Sequence, residues 1–173
     1  CRLEKMKPVS IQVFSDFTCV YCVRGEAVLN KIIENYKDKV KITYRQLPLE
    51  VFGPEGLTAA KAYLAVLMQS KELAADYRLE IFKNQDELKK NGEKYLFELA
   101  DKMKINLEQM KMDMNSSAVS KIIDDDKASA KALGIEGTPS FYIGKQMVNG
   151  ARPYDYMKSV IEQQLEENKK DCY

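Results

Sequence analysis

Apolar and polar residues alternate in two short segments near the start of the chain. In Ser10–Phe14 and in Val40–Leu47 apolar side chains occupy every second position, and several of them are β-branched. This period of two is typical of β-strands with one buried face. Pro48 and the Gly53-Pro54 pair end the second segment. We therefore predict two strands.

Helical periodicity occupies most of the remaining chain. From Val20 to about Lys37 apolar residues recur at helical spacing. The residues expected on one face of this helix are Ala27, Val28, Ile32, Ile33 and Tyr36. From about Glu55 to Leu133 the helical pattern continues without proline, which predicts four to six short helices. The expected breaks are at Ser70, Asn84 to Asp86, Gly92, Asn106 and Asn115 to Ser117, the last two as N-caps.

Strand signals return near the end of the chain. The apolar run Phe141–Ile143 precedes Gly144-Lys145, which is typical of a tight hairpin turn into Met147-Val148. A last amphipathic helix is predicted from Pro153. The order strand, helix, strand, helices, hairpin, helix predicts an α/β fold with a mixed central sheet and helices on its faces.

Length, charge and composition exclude several classes of protein. The chain has 173 residues, a net charge of +1 and 31% charged residues of both signs, so it has no basic stripe for nucleic acid. No apolar run approaches the roughly 20 residues of a membrane span. The absence of histidine excludes Cys-His proteases and His-based metal enzymes. We expect a globular protein without nucleic-acid partners.

Cys19 and Cys22 stand where the first strand gives way to the first helix. Both sulfurs then fall within one turn, and the positive end of the helix dipole lowers the pKa of the first thiol. The second thiol would resolve a mixed disulfide. The alternatives are a stapled helix start or half of a zinc site completed by Cys1 and Cys172. The flanking strand and helix favour redox chemistry over metal binding.

The Gly137-Thr138-Pro139 segment lies ahead of the third predicted strand. Two interpretations of it are open. It is an ordinary turn or edge proline, or a cis Thr138-Pro139 bond turns the Thr138 backbone towards the cysteines, where it pairs with an extended substrate.

Two segments resemble the DsbA family of the thioredoxin superfamily. They are Val13–Cys22, which reads VFSDFTCVYC, and Gly134–Ile143, which reads GIEGTPSFYI. The stretch from Asp76-Tyr77 through Ile81-Phe82 to Gln85 is also similar to one common in that family. The resemblance covers about 9 to 165. It implies a single thioredoxin-like domain over 1–173, discontinuous over about 9–53 and 134–170, with a helical insertion at about 54–133.

The resemblance also implies roles for particular residues. Cys19 would be the nucleophile, Cys22 the resolving thiol, and Thr138 with Pro139 the substrate platform. Val20 and Tyr21 would tune the redox potential. No metal or cofactor is implied. Because strong oxidants of the family often have Pro-His between the cysteines, whereas this chain has Val20-Tyr21, we expect a less extreme oxidant.

The implied activity is disulfide exchange with extracytoplasmic protein substrates, in the oxidising direction that forms disulfide bonds, with re-oxidation by a membrane quinone-linked partner. A reductase or isomerase kept reduced by a membrane thiol donor is one alternative. A non-catalytic thioredoxin-like module that binds polypeptides is another. The expected location is the bacterial periplasm or the outer face of the cytoplasmic membrane.

Several smaller interpretations concern single residues. Relatives often place a buried acid where this chain has Val13, so Asp16 or Glu26 is a candidate for proton transfer, although exposed positions are expected for both. Cys1 is either a lipid anchor on a processed chain or an ordinary boundary residue. Cys1 and Cys172 are either paired or free. Finally, Tyr21, Phe17, Met147 and Val148 form either an apolar rim around the cysteines or part of the core.

Overall fold

A computed structural model describes residues 6–170 of the chain. Its sheet has four strands: β1 (Val9–Ser15), β2 (Val40–Gln46), β3 (Ser140–Ile143) and β4 (Gln146–Asn149). Their spatial order is β2-β1-β3-β4. Strands β1 and β2 are parallel, whereas β3 is antiparallel to both β1 and β4. The mixed central sheet is therefore confirmed.

Eight α-helices accompany this sheet within residues 6–170. They are α1 (Val20–Tyr36), α2 (Glu55–Gln69), α3 (Lys71–Lys83), α4 (Gln85–Asn91), α5 (Glu93–Lys102), α6 (Leu107–Met114), α7 (Ser117–Ala132) and α8 (Tyr154–Lys170). Short 3-10 turns occupy Lys37–Lys39 and Glu50–Phe52. Helices α2 to α7 lie between β2 and β3, so the predicted helical block contains six helices. The division into a discontinuous domain with an insertion stays a prediction.

Three clusters of buried side chains organise the fold. One face of the sheet packs against α1 and α8, in a cluster that includes Ile11, Leu29 and Ile161. The other face holds a smaller cluster that includes Phe14 and Ala130. The largest cluster lies among the six intervening helices, and the two cysteines belong to it. The cysteines thus lie where the sheet meets the helical segment.

The buried face of helix α1 matches the expected one only in part, and Val28 packs against the core as a partly buried residue. Ile32 and Tyr36 are buried as predicted, but Ala27 is exposed and Ile33 is 38% exposed. The buried face instead includes Gly25 and Glu26. Because glycine and glutamate are not apolar, the hydrophobic pattern did not mark these two positions as buried. The predicted face was therefore rotated by about one residue relative to the observed one.

Local signals at helix and turn boundaries gave accurate predictions. The side chains of Asn106 and Ser116 accept hydrogen bonds from backbone N–H groups three residues on, as N-caps of α6 and α7. The hairpin turn at Gly144-Lys145 joins β3 to β4, and Gly144 has a φ of 60°. Helix α8 begins one residue after Pro153.

None of the helices between residues 6 and 170 is both long enough and apolar enough to cross a membrane. The predictions for Cys1 and Cys172 fall outside the described residues.

Candidate active site

The turn between β1 and α1 is held by the carboxylate of Asp16. One oxygen accepts hydrogen bonds from the Thr18 N–H and hydroxyl, at 2.8 and 2.7 Å. The other accepts from the Leu49 N–H, at 2.7 Å, in the segment after β2. Asp16 is only 1% exposed, so the expected surface position is wrong. The acid is buried because three donors compensate for its desolvation.

Cys19 is the N-cap residue of α1. No side chain caps the helix there, and the first turn contains no acidic residue. The Cys19 thiol donates to the Thr138 carbonyl at 3.5 Å. Hydrogen bonding from the Cys22 thiol, above all, lowers the pKa of Cys19 from 9.0 to about 6, against the opposing effect of burial. The Thr138 side chain and the backbone of Cys22 and Tyr21 also lower the pKa. These groups therefore favour the thiolate form of Cys19.

Cys22 is a contrasting thiol one turn further along α1. It is 1% exposed, and no disulfide joins it to Cys19 in this structure. Burial, first of all, and then the neighbouring Cys19 raise the pKa of Cys22 well above its usual value. The two sulfurs therefore differ, because one is stabilised as an anion and the other stays protonated.

The Thr138-Pro139 peptide bond is cis, and it lies next to the cysteines. Pro139 is buried directly before β3. A Cβ added at Gly25 of α1 would approach a Pro139 ring carbon to 3.2 Å, so the helix and the proline are in close contact there. The structure thus brings together the two predicted motifs, Cys19-Cys22 and Thr138-Pro139.

The residues between the cysteines point to solvent. Val20 is 62% exposed and Tyr21 is 61% exposed, with the Arg24 guanidinium 5.8 Å from the Tyr21 ring centroid. Of the other rim candidates, Phe17 and Val148 are buried, so the core alternative holds for these two residues. Phe17 is directed inward, because its ring packs against aromatic rings of α2 and α3.

A buried ion pair lies behind the active-site helix. The Arg78 guanidinium of α3 donates two hydrogen bonds to the Glu26 carboxylate, one from Nε at 3.0 Å and a short one from Nη2. The same guanidinium donates to Ser15 Oγ at 3.0 Å and lies 4.0 Å from the Tyr44 ring centroid. Glu26 is 6% exposed, so the expected surface position is again wrong. Its counter-charge comes from another helix, 52 residues away.

Sequence reasoning assigned no role to Arg78 or to Gln85. Arg78 follows Tyr77 on the buried face of α3, where a charged residue indicates a buried partner. The Gln85 side chain amide donates to the carbonyls of Phe17 and Cys19, each at 2.8 Å. Its position in a segment similar to the DsbA family was the available signal.

Comparison with known proteins agrees with this architecture. Residues 4–163 match the family described as Thioredoxin. A relative named "Probable disulfide bond formation protein D" from Bacillus cereus is 29% identical over 166 residues, which cover 91% of this chain and 74% of that protein.

Solved structures show the same fold. A thioredoxin-like oxidoreductase from Silicibacter pomeroyi superposes with a TM-score of 0.80 and 23% identity, covering 92% of this chain and 88% of the other. The thiol-disulfide exchange protein alpha-DsbA2 from Wolbachia pipientis gives 0.79 and 22%, covering 90% and 81%. With most of its length matched and the DsbA-like arrangement of sheet and helices, the chain belongs to the thioredoxin family.

Proposed function

We propose that this chain is a thiol-disulfide oxidoreductase that forms disulfides in other proteins through Cys19 and Cys22. The observation that carries the proposal is the difference between the two thiols. Cys19 begins α1 with a lowered pKa, whereas Cys22 is buried with a raised pKa. The similarity to a protein named for disulfide bond formation supports the same activity.

The reaction follows from this difference. A substrate thiolate attacks the Cys19 sulfur of the Cys19–Cys22 disulfide, the bond to Cys22 breaks, and Cys22 takes up a proton. A second substrate thiolate then attacks the substrate sulfur of the mixed disulfide and releases Cys19 as a thiolate. The substrate dithiol loses two electrons, which the cysteine pair gains. Because a thiol of low pKa is a good leaving group, the second step favours oxidation of the substrate.

Thr138 and Pro139 are proposed to form the substrate platform. The Thr138 carbonyl lies 3.5 Å from the attacked sulfur, so a substrate strand paired with this backbone would reach Cys19. The exposed Val20 and Tyr21 are proposed to tune the potential. A Tyr21→His variant places a cation near the thiolate and should lower the pKa of Cys19 further, which alkylation at different pH values would measure.

The location and partners are part of the proposal. We infer an extracytoplasmic setting, either the bacterial periplasm or the outer face of the cytoplasmic membrane, because disulfides persist in oxidising compartments. Thiol-containing proteins would be the substrates, and a membrane quinone-linked protein would restore the disulfide. A lipid anchor at Cys1 would place the chain at that membrane.

Equilibration with glutathione tests the proposal. The fraction of Cys19–Cys22 disulfide is measured by trapping free thiols at a series of glutathione ratios, with Cys19→Ser and Cys22→Ser as controls. A potential well above the value of about −270 mV for thioredoxin supports an oxidase. A value at the thioredoxin end supports the reductase alternative, and failure to form the disulfide refutes the redox assignment.

A functional assay complements the potential. The oxidised protein is mixed with a reduced, unfolded substrate that regains activity only when its disulfides form. We expect the substrate to recover with loss of the Cys19–Cys22 disulfide, and no recovery with Cys19→Ser. Equal recovery with that variant would favour the non-catalytic, polypeptide-binding alternative.

A further inference from the structure

One side chain links the six-helix segment directly to the turn that carries Cys19. Gln85 is the first residue of α4, and its Nε2 lies 2.8 Å from the Phe17 carbonyl oxygen and 2.8 Å from the Cys19 carbonyl oxygen. Gln85 is partly buried, and it is 66 residues away from Cys19 in sequence. Within residues 6–170, no other side chain donates a hydrogen bond to either carbonyl.

The orientation of the Gln85 amide is fixed by its surroundings. A primary amide has two N–H donors on its nitrogen and only acceptor sites on its oxygen. Since both neighbours of Nε2 are carbonyl oxygens, a flipped amide would place three oxygens together and lose both hydrogen bonds. The two contacts therefore use both donors of a single group.

These contacts span the residues that set the position of the Cys19 sulfur. The Cys19 N–H donates to the Asp16 carbonyl at 3.1 Å, and the Cys22 N–H donates to the Cys19 carbonyl at 3.2 Å. The Cys19 carbonyl thus accepts from the first turn of α1 and from Gln85 at once. Gln85 holds the Phe17 carbonyl before the Thr18-Cys19 segment and the Cys19 carbonyl at its end. The backbone between these two carbonyls therefore has little freedom to rotate.

We propose that Gln85 is a positioning residue for disulfide exchange, which holds the Phe17–Cys19 turn so that the first N–H groups of α1 face the Cys19 sulfur. The inference rests on the proposed function, because it concerns the reactivity of that thiol. Backbone groups of Tyr21 and Cys22 contribute to the lowered pKa of Cys19. Their contribution depends on the direction of their N–H bonds, since hydrogen bonds weaken steeply with angle.

Replacing Gln85 by Met tests the proposal, because Met has a similar length and no N–H donor. A hydrogen bond contributes about 0.5 to 1.5 kcal/mol, and about 1.4 kcal/mol is a factor of ten in an equilibrium constant. Only the part of this energy that acts on the reduced form alone shifts the redox equilibrium. We therefore expect the equilibrium with glutathione to move towards the Cys19–Cys22 disulfide by at least twofold and at most about tenfold. The midpoint of Cys19 alkylation should move to higher pH in parallel.

Gln69→Met is the matched control. Gln69 lies in the same helical segment and also makes two hydrogen bonds to backbone, with the N–H and the carbonyl of Asn106, each at 3.0 Å. Neither bond reaches the active-site turn. This variant should leave the alkylation profile and the glutathione equilibrium unchanged, even where it lowers thermal stability as much as Gln85→Met does.

The outcomes separate the inference from the proposed function. If folded Gln85→Met matches the wild type in both the pH midpoint and the equilibrium constant, Gln85 does not position the thiol. The same conclusion follows if Gln69→Met shifts both quantities equally, because the cause is then general loosening of the helices. Gln85→Ala, a truncation at a partly buried helix start, provides the same readouts if the Met variant does not fold. Failure of the wild type to form the disulfide would instead overturn the proposed function.

Discussion

The ion pair between Glu26 and Arg78 should make an unusually large contribution to stability when only one partner is removed. Glu26 is 6% exposed and Arg78 is 3% exposed, so water cannot replace a lost partner at either side chain. Removing one member of a buried pair generally costs about 3 to 5 kcal/mol, because the other charge is left without compensation. Arg78→Met retains the aliphatic part of the side chain and deletes the charge.

The expected effect is large on the scale of a whole domain. A loss of about 3 to 5 kcal/mol is a substantial part of the total stability of about 5 to 15 kcal/mol of a typical domain. With a urea dependence of roughly 2 kcal/mol per molar, the unfolding midpoint of Arg78→Met should fall by about 2 M. Equilibrium urea unfolding of the reduced protein, followed by far-UV circular dichroism, measures this change.

Two further variants identify the cause. Glu26→Leu combined with Arg78→Met removes both charges, and it should be more stable than Arg78→Met alone, because no buried charge remains. Lys83→Met, which removes the cation of an exposed pair with Glu80, should cost less than about 1 kcal/mol. If the double variant is as unstable as the sum of its single variants, the two side chains do not act as a pair and the reasoning fails.

Three further predictions concern the thiol, a close contact and a helix cap. Because the pKa of Cys19 in the folded protein is lowered from 9.0 to about 6, the rate of its alkylation should be half-maximal near pH 6, and a midpoint near pH 9 would contradict this. The free energy of unfolding of the reduced protein, relative to that of Cys19→Ser, should increase as the pH rises from 6 to 9. Gly56→Ala places a Cβ 2.6 Å from an Asp16 carboxylate oxygen, so it should lower the free energy of unfolding by about 1 to 3 kcal/mol. An unchanged urea midpoint would show instead that the carboxylate moves aside freely. Ser116→Ala loses the bond from the Val119 N–H and should cost about 1 kcal/mol in the same assay, while Ser116→Gly should cost less.

The features that the sequence predicted well depend on residues close together in the chain. Alternation over Ser10–Phe14 and Val40–Leu47 located two strands to within one or two residues, since period-two patterns report one buried face. The Asn106 and Ser116 caps were found because each side chain bonds three residues ahead. Local chemistry therefore determined most element boundaries.

The features that the sequence did not predict depend on distant partners. Glu26 has no local signal for burial, and its partner Arg78 is 52 residues away. Phe17 was a candidate for the exposed rim, but its ring centroid lies 4.8 Å from that of Phe82. Which side of a turn is buried depends on the helices that cover it, and their packing leaves no periodic pattern within the turn itself.

The same distinction applies to the chemistry of the candidate site. The Cys19-Cys22 spacing identifies the reacting groups, but the environment of Cys19 comes from separate elements. Asp16 ties its turn to the segment after β2, Gln85 ties it to α4, and Thr138 contacts the sulfur from the residues before β3. The stability of a thiolate depends on the direction and distance of nearby dipoles. A change in any of these contacts therefore changes the stability of the Cys19 thiolate. Proteins with identical residues between their cysteines can therefore differ in potential when these distant contacts differ.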